Sequence, residues 1–278
     1  MPELPEVETV KSGLAKVIHG KKAFMLKFYR KDLREKIPQS LIRKILIGET
    51  ISSLKRRSKY ILLETAKGTV ISHLGMTGAF LTRKSPKPEM DHTHFVMGFQ
   101  DSSMEKVYLH YVDPRRFGRL SATTNDPFEH DYLRGLGPEP LELSAEELGD
   151  HLYKKSRKRV ASVKSFIMDA KVLVGVGNIY ACESLFKSGI SPLRASGKLS
   201  KLKYYQLSRE IIKTLDMAIE QGGTTVKDFQ NANGGTGYFA LSLKVYGRQG
   251  LSCFQCSNPI HQIRQSGRST WYCKNCQK

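Results

Sequence analysis

Four cysteines near the C-terminus constrain the fold of this chain more than any other feature. They read Cys253-x2-Cys256 and, further on, Cys273-x2-Cys276. Two such knuckles bring paired thiolates to one tetrahedral ion, which is the arrangement of a structural four-cysteine zinc site. Two disulfides are the alternative, but they need an oxidising compartment, which nothing in the sequence indicates. We therefore predict one structural Zn²⁺ that holds a β-hairpin, and we expect the remaining cysteine, Cys182, to be a buried apolar residue.

The charge balance of the chain indicates a polyanionic partner. Its 278 residues carry a formal net charge of +19 at pH 7, which favours nucleic acid. An acidic region, residues 126–150, is followed by a basic run, residues 154–159, and such a patch suits phosphate groups. A membrane surface fits less well, because the basic residues do not lie on one long amphipathic helix. The sequence shows neither a membrane-spanning apolar stretch nor an apolar N-terminal signal core, so we expect a cytoplasmic protein without a membrane partner.

Residue patterns in the first half predict a helix that leads into β-structure. Val7, Val10, Leu14 and Val17 recur on one face of a helix over residues 6–18. Four strands are predicted after this helix, over residues 60–64, 69–73, 93–99 and 106–112. The first half is therefore expected to form a β-sandwich or barrel whose leading helix holds the N-terminus in place.

The second half of the sequence has the pattern of a helical domain. A segment containing glycine and proline, residues 135–140, is a linker candidate, and Ser144 to Glu147 resembles a capping box at the start of a helix. A later helix, with apolar residues every four positions from Leu207, is expected to end at Gly222. The predicted chain is α+β and has four parts: an N-terminal β-sandwich domain at 1–132, a linker at 133–150, a helical domain at 151–244 and a zinc finger at 245–278.

The chain begins Met1-Pro2-Glu3, which suggests a catalytic N-terminus. Methionine before a small residue such as proline is usually removed, and the exposed α-amine then has a pKa of about 8. Attack of the unprotonated secondary amine on an aldehyde carbon gives an iminium ion, which serves as an electron sink. Most N-terminal prolines have no such role, because chain termini usually fray. The hypothesis therefore depends on a substrate that the remaining chain must bind.

A glycine-containing turn at residues 173–180 precedes an apolar helical run. Gly175 and Gly177 permit tight turns, and Asn178 is a good N-cap, so the amides at this helix start can bind a phosphate. The segment is not a dinucleotide-binding fingerprint, because Tyr180 stands in place of the third glycine. Two helices joined by this turn fit a clamp on the DNA backbone, and a purely structural helix cap is the alternative.

Several other side chains are candidates for contact with DNA. Arg115 and Phe117 would point the same way if the preceding strand continued, so one could contact a base edge and the other could enter the base stack. Met76, in a glycine-flanked loop, is a second apolar candidate, although a methionine is more often a core residue. A basic run that enters a strand could direct Lys59 toward a phosphate, and Arg268 lies at the expected tip of the zinc hairpin.

Stretches along the whole chain match one family in order. They are MPELPEVETV at 1–10, RRSKYILLE at 56–64, HLGMTG at 73–78, DPRRFG at 113–118, VGVGNIYACESLF at 174–186, QGGTTVKDF at 221–229, GYF at 237–239, VYGR at 245–248 and the zinc hairpin. In these stretches the chain resembles the bacterial formamidopyrimidine-DNA glycosylases, base-excision repair enzymes of the helix–two-turn–helix superfamily. The resemblance implies a monomer in the bacterial cytoplasm, associated with the nucleoid. Its implied partner is double-stranded DNA that contains oxidised bases or abasic sites.

The resemblance also implies a role for each candidate residue. Pro2 is the Schiff-base nucleophile and Glu3 its acid–base partner, while Lys59 and Arg268 contact phosphates and assist the β- and δ-eliminations. The residues implied in DNA binding are His73, Met76, His92, Arg115, Phe117, Arg159 and Asn178. The residues implied in lesion recognition are Glu6, Thr224, Thr225 and Tyr238. The implied substrates are 8-oxoguanine and formamidopyrimidines, and no catalytic metal or redox cofactor is needed.

Two alternatives remain beside this resemblance. The sister family, of the endonuclease VIII type, shares the N-terminal proline and glutamate and acts on oxidised pyrimidines. Its members typically begin Met-Pro-Glu-Gly-Pro, whereas this chain has Leu4. Ser269 and the glycine-rich loop 231–236 depart from the usual pattern, and the loop leaves the preference among lesions open. A zinc protein that binds damaged DNA without cleaving it is the third possibility, and the intact Pro2-Glu3 pair argues against it.

Overall fold

The structure is a computed structural model, and it describes residues 2–88, 90–223 and 242–278. These residues divide into two compact units. The first unit contains the chain up to Arg134 together with Gly222 and Gly223, and the second contains Gly135 to Gln221 and the residues from Ser242 onward. No helix among the described residues is long and apolar enough to cross a membrane.

The first unit is built from two four-stranded antiparallel sheets. Its strands are β1 (Lys22–Phe28), β2 (Ser53–Arg57), β3 (Tyr60–Thr65), β4 (Gly68–His73), β5 (Ala79–Arg83), β6 (Thr93–Gln100), β7 (Lys106–Val112) and β8 (Arg119–Thr123). One sheet has the order β1-β6-β7-β5 and the other has the order β2-β3-β4-β8. The chain therefore changes sheet between β4 and β5 and changes back between β7 and β8. These two sheets confirm the predicted β-sandwich, and β1, β2, β5 and β8 are strands that the sequence patterns did not reveal.

Two helices pack on this sandwich. The helix α1 (Leu4–Ile18) buries its apolar face, including Val7, Val10 and Leu14, and it contacts β2 and β3. The helix α2 (Gln39–Leu46) packs against β1, β4 and β8. The apolar spacing predicted α1 to within two residues of its start, and the burial of its first turn fixes the N-terminal residues rather than leaving them frayed.

The described residues of the second unit form four α-helices and the zinc hairpin. The helices are α3 (Ala145–Ser156), α4 (Val163–Ile167), α5 (Asn178–Lys187) and α6 (Lys201–Glu220). The predicted capping box is present, because Ser144 accepts from the amide of Glu147 and the Glu147 carboxylate accepts from the amide of Ser144. The helix α6 packs against α3 and α5, and the turns between α4 and α5 form the helix–two-turn–helix element.

The hairpin at the C-terminus pairs β9 (His261–Gln265) with β10 (Arg268–Tyr272). Its turn is Ser266-Gly267, so Arg268 is the first residue of β10 and not part of a longer tip. The strand β10 packs against α5. Apolar side chains around Phe186 and Val245 form a small core with two of the hairpin cysteines, and Cys182 is buried in it as expected.

Candidate functional site

The N-terminal residues are held by a hydrogen-bonded cap. Pro2 is buried, and Glu3 is the N-cap of α1. The Glu6 carboxylate accepts from the Glu3 amide at 2.8 Å, and the Glu3 carboxylate accepts in return from the amide of Glu6, so the two residues form a capping box. Both residues are buried, with exposures of 3% for Glu3 and 1% for Glu6. The Pro2-Glu3 pair therefore sits at a fixed point of the fold.

The Glu6 side chain also lies close to Gly223, the last described residue before position 224. Gly223 has φ +84°, and a Cβ there would come within 3.1 Å of the Glu6 side chain. Only glycine combines this backbone conformation with such a close approach. Thr224, Thr225 and Tyr238 lie outside the described residues.

Lys59 lies in the turn between β2 and β3 and not in a strand. The preceding residue, Ser58, has φ +57°, so the alternation expected along the basic run ends there. Arg56 holds this turn in place: its guanidinium donates to the Ser58 carbonyl at 3.1 Å and to the Glu8 carboxylate at 2.8 Å. Because Glu8 belongs to α1, this pair ties the turn with Lys59 to the helix that begins after Pro2 and Glu3.

His73 closes β4, and its ring is a neutral acceptor. Its Nδ1 accepts from the amide of Gly75 at 2.9 Å, and its ring lies 4.8 Å from that of Tyr60. Burial, followed by the charges of Lys59 and Arg119 among others, lowers the pKa of His73 to about 4. The imidazole is therefore uncharged at neutral pH, and its bond to the Gly75 amide holds the start of the loop that carries Met76.

Met76, Arg115 and Phe117 lie on two loops of the sandwich. The strand β7 ends at Val112, so Arg115 and Phe117 do not alternate along a strand as the sequence suggested. The Arg115 guanidinium instead stacks over the Phe117 ring, 4.8 Å from its centre. Phe117 is 40% exposed, so a large part of its ring is in contact with solvent.

His92 occupies the turn before β6. It has φ +64° and an exposed side chain, and its carbonyl accepts from the amide of Asp113 at 3.1 Å. The exposed imidazole of His92 therefore lies on the same unit as the two loops that carry Met76, Arg115 and Phe117.

Asn178 is the first residue of α5, and Gly177 is the N-cap. The prediction of Asn178 as the cap is wrong by one residue, because its side chain is engaged elsewhere. Its Nδ2 donates to the Ser269 carbonyl at 2.9 Å, and its Oδ1 accepts from Lys164 at 2.5 Å. Lys164 is only 2% exposed and also donates to Thr270 at 2.6 Å. The helix start and the zinc hairpin are thus joined through one buried ammonium group.

Arg268 and Arg159 are both exposed on the second unit. Arg268 lines an open pocket with Lys164 and Gln265. The Arg159 guanidinium lies over the Phe166 ring at 5.5 Å and approaches the Asp169 carboxylate at 3.9 Å. Both guanidinium groups are therefore on the surface of the second unit, and that of Arg159 has a carboxylate nearby.

The four hairpin cysteines converge on one point. Their sulfur atoms all lie within 4.8 Å of one another, with Cys253 and Cys276 at 3.8 Å and Cys256 and Cys273 at 3.4 Å. A tetrahedron with Zn–S bonds of about 2.3 Å places its sulfur atoms about 3.8 Å apart. The cluster therefore fits a single structural Zn²⁺, and its four protein ligands leave no position for substrate.

Sequence reasoning missed three groups that organise the site. Lys164, the Glu8–Arg56 pair and Asp113 each act through partners that are distant in the sequence. Of these three groups, only Lys164 had a signal in the sequence. A lysine in an otherwise apolar helical segment is seldom buried without polar partners, so such partners could have been expected.

Comparison with protein families accounts for nearly the whole chain. Residues 1–120 match the formamidopyrimidine-DNA glycosylase N-terminal domain, residues 136–230 match the formamidopyrimidine-DNA glycosylase H2TH domain, and residues 250–278 match the zinc finger found in FPG and IleRS. Two relatives named formamidopyrimidine-DNA glycosylase, from Idiomarina loihiensis and Saccharophagus degradans, are 45% and 46% identical to this chain. Each match covers 278 residues and all of both chains.

Solved structures agree with this assignment. The crystal structure of the MutM (Fpg) protein of Thermus thermophilus is 31% identical, with a TM-score of 0.86 over 99% of this chain and 98% of that one. Wild-type Lactococcus lactis Fpg in complex with DNA containing N7-benzyl-Fapy-dG is 32% identical, with a TM-score of 0.88 over all of both chains. MutM in complex with DNA containing carbocyclic 8-oxo-G gives the same three values. The chain belongs to the formamidopyrimidine-DNA glycosylase family, and it is a DNA glycosylase and AP lyase of base-excision repair.

Proposed function

We propose that the chain removes oxidised purines from double-stranded DNA by nucleophilic attack of Pro2 at the sugar C1′ of the lesion. The observation that carries this proposal is the capping box between Glu3 and Glu6, which fixes the N-terminal residues on a buried helix. After removal of Met1, the secondary amine of Pro2 is the nucleophile at this fixed position. Glu3, directly beside it, is the acid–base partner.

The proposed chemistry requires no redox change. The lone pair of the Pro2 nitrogen forms a bond to C1′ as the glycosidic bond breaks, and the base leaves with a proton. The Pro2 nitrogen then loses its proton, and the C1′–O4′ bond breaks as O4′ is protonated, which opens the sugar ring and gives the iminium ion. The iminium ion acidifies the C2′ proton, so that the 3′ phosphate leaves by β-elimination and the 5′ phosphate then leaves by δ-elimination. Glu3 donates and removes protons during sugar-ring opening and these eliminations.

Lys59 and Arg268 are proposed to assist the eliminations through the phosphates. The Arg56–Ser58 hydrogen bond, which holds the turn of Lys59, and the short hairpin turn before Arg268 both support a fixed position for these cations. His92, Arg159 and Asn178 are proposed to bind the DNA backbone, and His73 is proposed to contact DNA. We also propose that the domain at 1–132 carries the chemistry, while the helical domain at 151–244 and the zinc finger at 245–278, reached through a linker at 133–150, grip the duplex.

Met76, Arg115 and Phe117 are proposed to fill the space that the everted base leaves. A base must leave the stack before its bond to the sugar is accessible, at a cost of a few kcal/mol, and inserted apolar side chains offset part of that cost. Arg115 can face the orphan cytosine. Glu6, with Thr224, Thr225 and Tyr238, is proposed to recognise the lesion, and the burial of Glu6 beside Gly223 supports a fixed position for its carboxylate.

The substrate class is proposed from the relatives. Solved relatives bind DNA that contains a formamidopyrimidine or an 8-oxoguanine analogue. Leu4 and the complete set of Met76, Arg115 and Phe117 favour the purine-lesion branch over oxidised pyrimidines. We further propose that the protein is a monomer in the bacterial cytoplasm, associated with the nucleoid.

Borohydride trapping tests the nucleophile. With a duplex that contains an 8-oxoguanine:cytosine pair, the parent protein should form a covalent adduct at Pro2, identified by peptide mass spectrometry. Pro2→Gly should trap and excise far more slowly, whereas Lys16→Gln, on the exposed end of the same helix, should match the parent. Trapping and cleavage by Pro2→Gly at the full rate contradicts the assignment.

Two further measurements complete this test. A mass spectrum of the intact protein should show that Met1 is absent, since a retained methionine would block the amine. Faster excision of thymine glycol than of 8-oxoguanine by the same preparation contradicts the purine preference and supports the pyrimidine branch.

A further inference from the structure

The two loops that carry Met76, Arg115 and Phe117 cross side by side between the two sheets. Residues 74–78, the Met76 loop, connect β4 to β5, and residues 113–118, the Arg115 loop, connect β7 to β8. The strand β4 pairs with β8 in one sheet, and β5 pairs with β7 in the other. The start of the Met76 loop therefore lies beside the end of the Arg115 loop, and the end of the Met76 loop lies beside the start of the Arg115 loop.

A buried carboxylate joins the two loops. Asp113 is 0% exposed, and its Oδ1 accepts from the Thr77 hydroxyl at 2.6 Å. Its Oδ2 accepts from the amide of Gly118 at 2.8 Å. The Thr77 oxygen accepts in turn from the amide of Arg115 at 3.3 Å. The hydroxyl of Thr77 thus bonds the Arg115 loop both as donor and as acceptor, one residue after Met76.

The two loops also pack closely at three glycines. Gly75 has φ +67°, and a Cβ on it would overlap the backbone of Phe117 and Gly118. The hydroxyl of Tyr111 lies beneath Gly78 of one loop and Gly118 of the other, where a Cβ on either glycine would overlap it. Gly75 is needed because the two loops touch there through their main chains, and Gly78 and Gly118 leave room for the Tyr111 hydroxyl.

We propose that Thr77 and Asp113 couple the two loops into one rigid wedge, so that Met76, Arg115 and Phe117 enter the duplex together. Thr77 and Asp113 are positioning residues in this account. The inference rests on the proposed function, in which these three side chains occupy the space of the everted base.

Joint entry has a physical advantage over separate entry. Unstacking a base pair opens one space, and a single inserted side chain fills only part of it. Side chains on independent loops would each lose conformational freedom on entry, whereas a preformed wedge has lost that freedom on folding. The hydrogen bonds of Thr77 therefore act on the excision of a stacked base and have little effect on an abasic site, where no base needs to be displaced.

Substitutions at position 77 test the coupling. Thr77→Val keeps the shape of the side chain but removes both hydrogen bonds, and Thr77→Ser restores them. Thr93→Val is a matched control on the same unit, because its hydroxyl donates to the carbonyl of Met90, three residues away, at 2.8 Å. Loss of a hydrogen bond to a buried carboxylate should slow single-turnover excision of 8-oxoguanine by about tenfold. Cleavage of preformed abasic DNA should stay within about threefold, which also shows that the variant is folded.

A double-mutant cycle separates coupling from a general loss of activity. In the parent, Met76→Ala and Phe117→Ala should combine less than multiplicatively, because either one spoils a shared wedge. In the Thr77→Val background their effects should multiply, because the side chains then enter independently.

Three outcomes contradict the coupling. Excision by Thr77→Val within about twofold of the parent overturns it. The same non-multiplicative pattern in both backgrounds also overturns it, while Pro2 trapping and the wedge assignment stand. Unchanged excision by Met76→Ala and Phe117→Ala in the parent overturns the wedge assignment and the coupling together.

Discussion

Glu8 and Arg56 form an ion pair that holds the turn of Lys59 to the helix α1. Glu8 lies on α1, and the Arg56 side chain that it accepts from is only 9% exposed. Lys11 contacts the same carboxylate from one helical turn away. Burial alone would raise the pKa of Glu8, but Lys11 and Arg56 outweigh it and hold the pKa below its ordinary value of 4.5.

Glu8→Gln is therefore expected to destabilise the protein by about 1 kcal/mol at neutral pH. A carboxyl group with a depressed folded-state pKa stabilises the fold above its unfolded pKa, and this contribution is lost as the pH falls through the folded pKa. Urea unfolding at a series of pH values should show the difference between parent and variant shrinking below about pH 4.5. Lys55→Met, which removes an exposed ion pair from the same strand, should change the free energy of unfolding by less than about 0.5 kcal/mol. A pH-independent difference for Glu8→Gln contradicts the ion-pair explanation.

His73 predicts a second dependence on pH. The unfolded imidazole binds a proton near its ordinary pKa of 6.5, whereas the folded one does so only at about 4. The free energy of unfolding should therefore fall as the pH is lowered from 6.5 to 4, by about 1–3 kcal/mol. His73→Asn cannot titrate but keeps an acceptor for the Gly75 amide, so it should lose this part of the slope. Equal slopes for parent and variant would show that His73 is charged in the folded protein or already neutral when unfolded.

At the scale of secondary-structure elements, Lys164 joins the start of α5 to the zinc hairpin. Lys164→Met should lower the free energy of unfolding by about 1–3 kcal/mol, because the acceptors on Asn178 and Thr270 lose their donor in a buried position. Affinity for lesion DNA should also fall, because Lys164 no longer holds β10, which begins at Arg268, to the start of α5. Thermal unfolding and fluorescence anisotropy measure the two effects. Lys171→Met, which removes an exposed lysine from the turns after α4, should leave stability unchanged. Equal losses of affinity in both variants would show that Lys164 contributes to DNA binding only through its charge.

Elements whose pattern is local could be predicted from the sequence. The helix α1, the strand β7 and the capping box before α3 repeat apolar or capping residues at fixed spacing, so neighbouring residues carry the whole signal. The strand β8 and the helix α2 escaped prediction because they are short and are stabilised by packing against other elements. Asn178 was misplaced by one position for a related reason: its side chain bonds Ser269, which is distant in the sequence.

In the candidate site, too, residues with a local sequence signal could be predicted, and residues placed by tertiary contacts could not. The four cysteines were predictable because their ligand spacing is itself the signal. The turn that holds Lys59 and the stacking of Arg115 on Phe117 depend on where β2 and β7 end, which alternation alone does not determine. The contacts of Thr77 with Asp113 depend on two sheet crossings lying side by side, so only the tertiary structure reveals them.

At the scale of the whole molecule, the zinc cluster holds the C-terminal segment together. Cys256→Ser should lower the zinc content below one equivalent and weaken DNA binding, because the hairpin that presents Arg268 loosens. Metal analysis and anisotropy report the two quantities. Cys182→Ala, which removes a thiol outside the cluster, should retain full zinc. Unchanged zinc content and unchanged affinity in Cys256→Ser would contradict the structural role of the metal.

The charge of the whole chain sets how binding depends on salt. The zinc segment carries Arg248, Arg264, Arg268, Lys274 and Lys278 without any acidic side chain, and the chain as a whole carries +19. Each phosphate that a cation neutralises releases condensed counterions, so contact with about six to ten phosphates should lower the affinity by three to five decades between about 50 and 200 mM salt. Arg268→Gln should reduce the slope of the logarithm of the binding constant against the logarithm of salt concentration by about 1. An unchanged slope would place Arg268 away from the DNA backbone and leave the δ-elimination without its proposed cation.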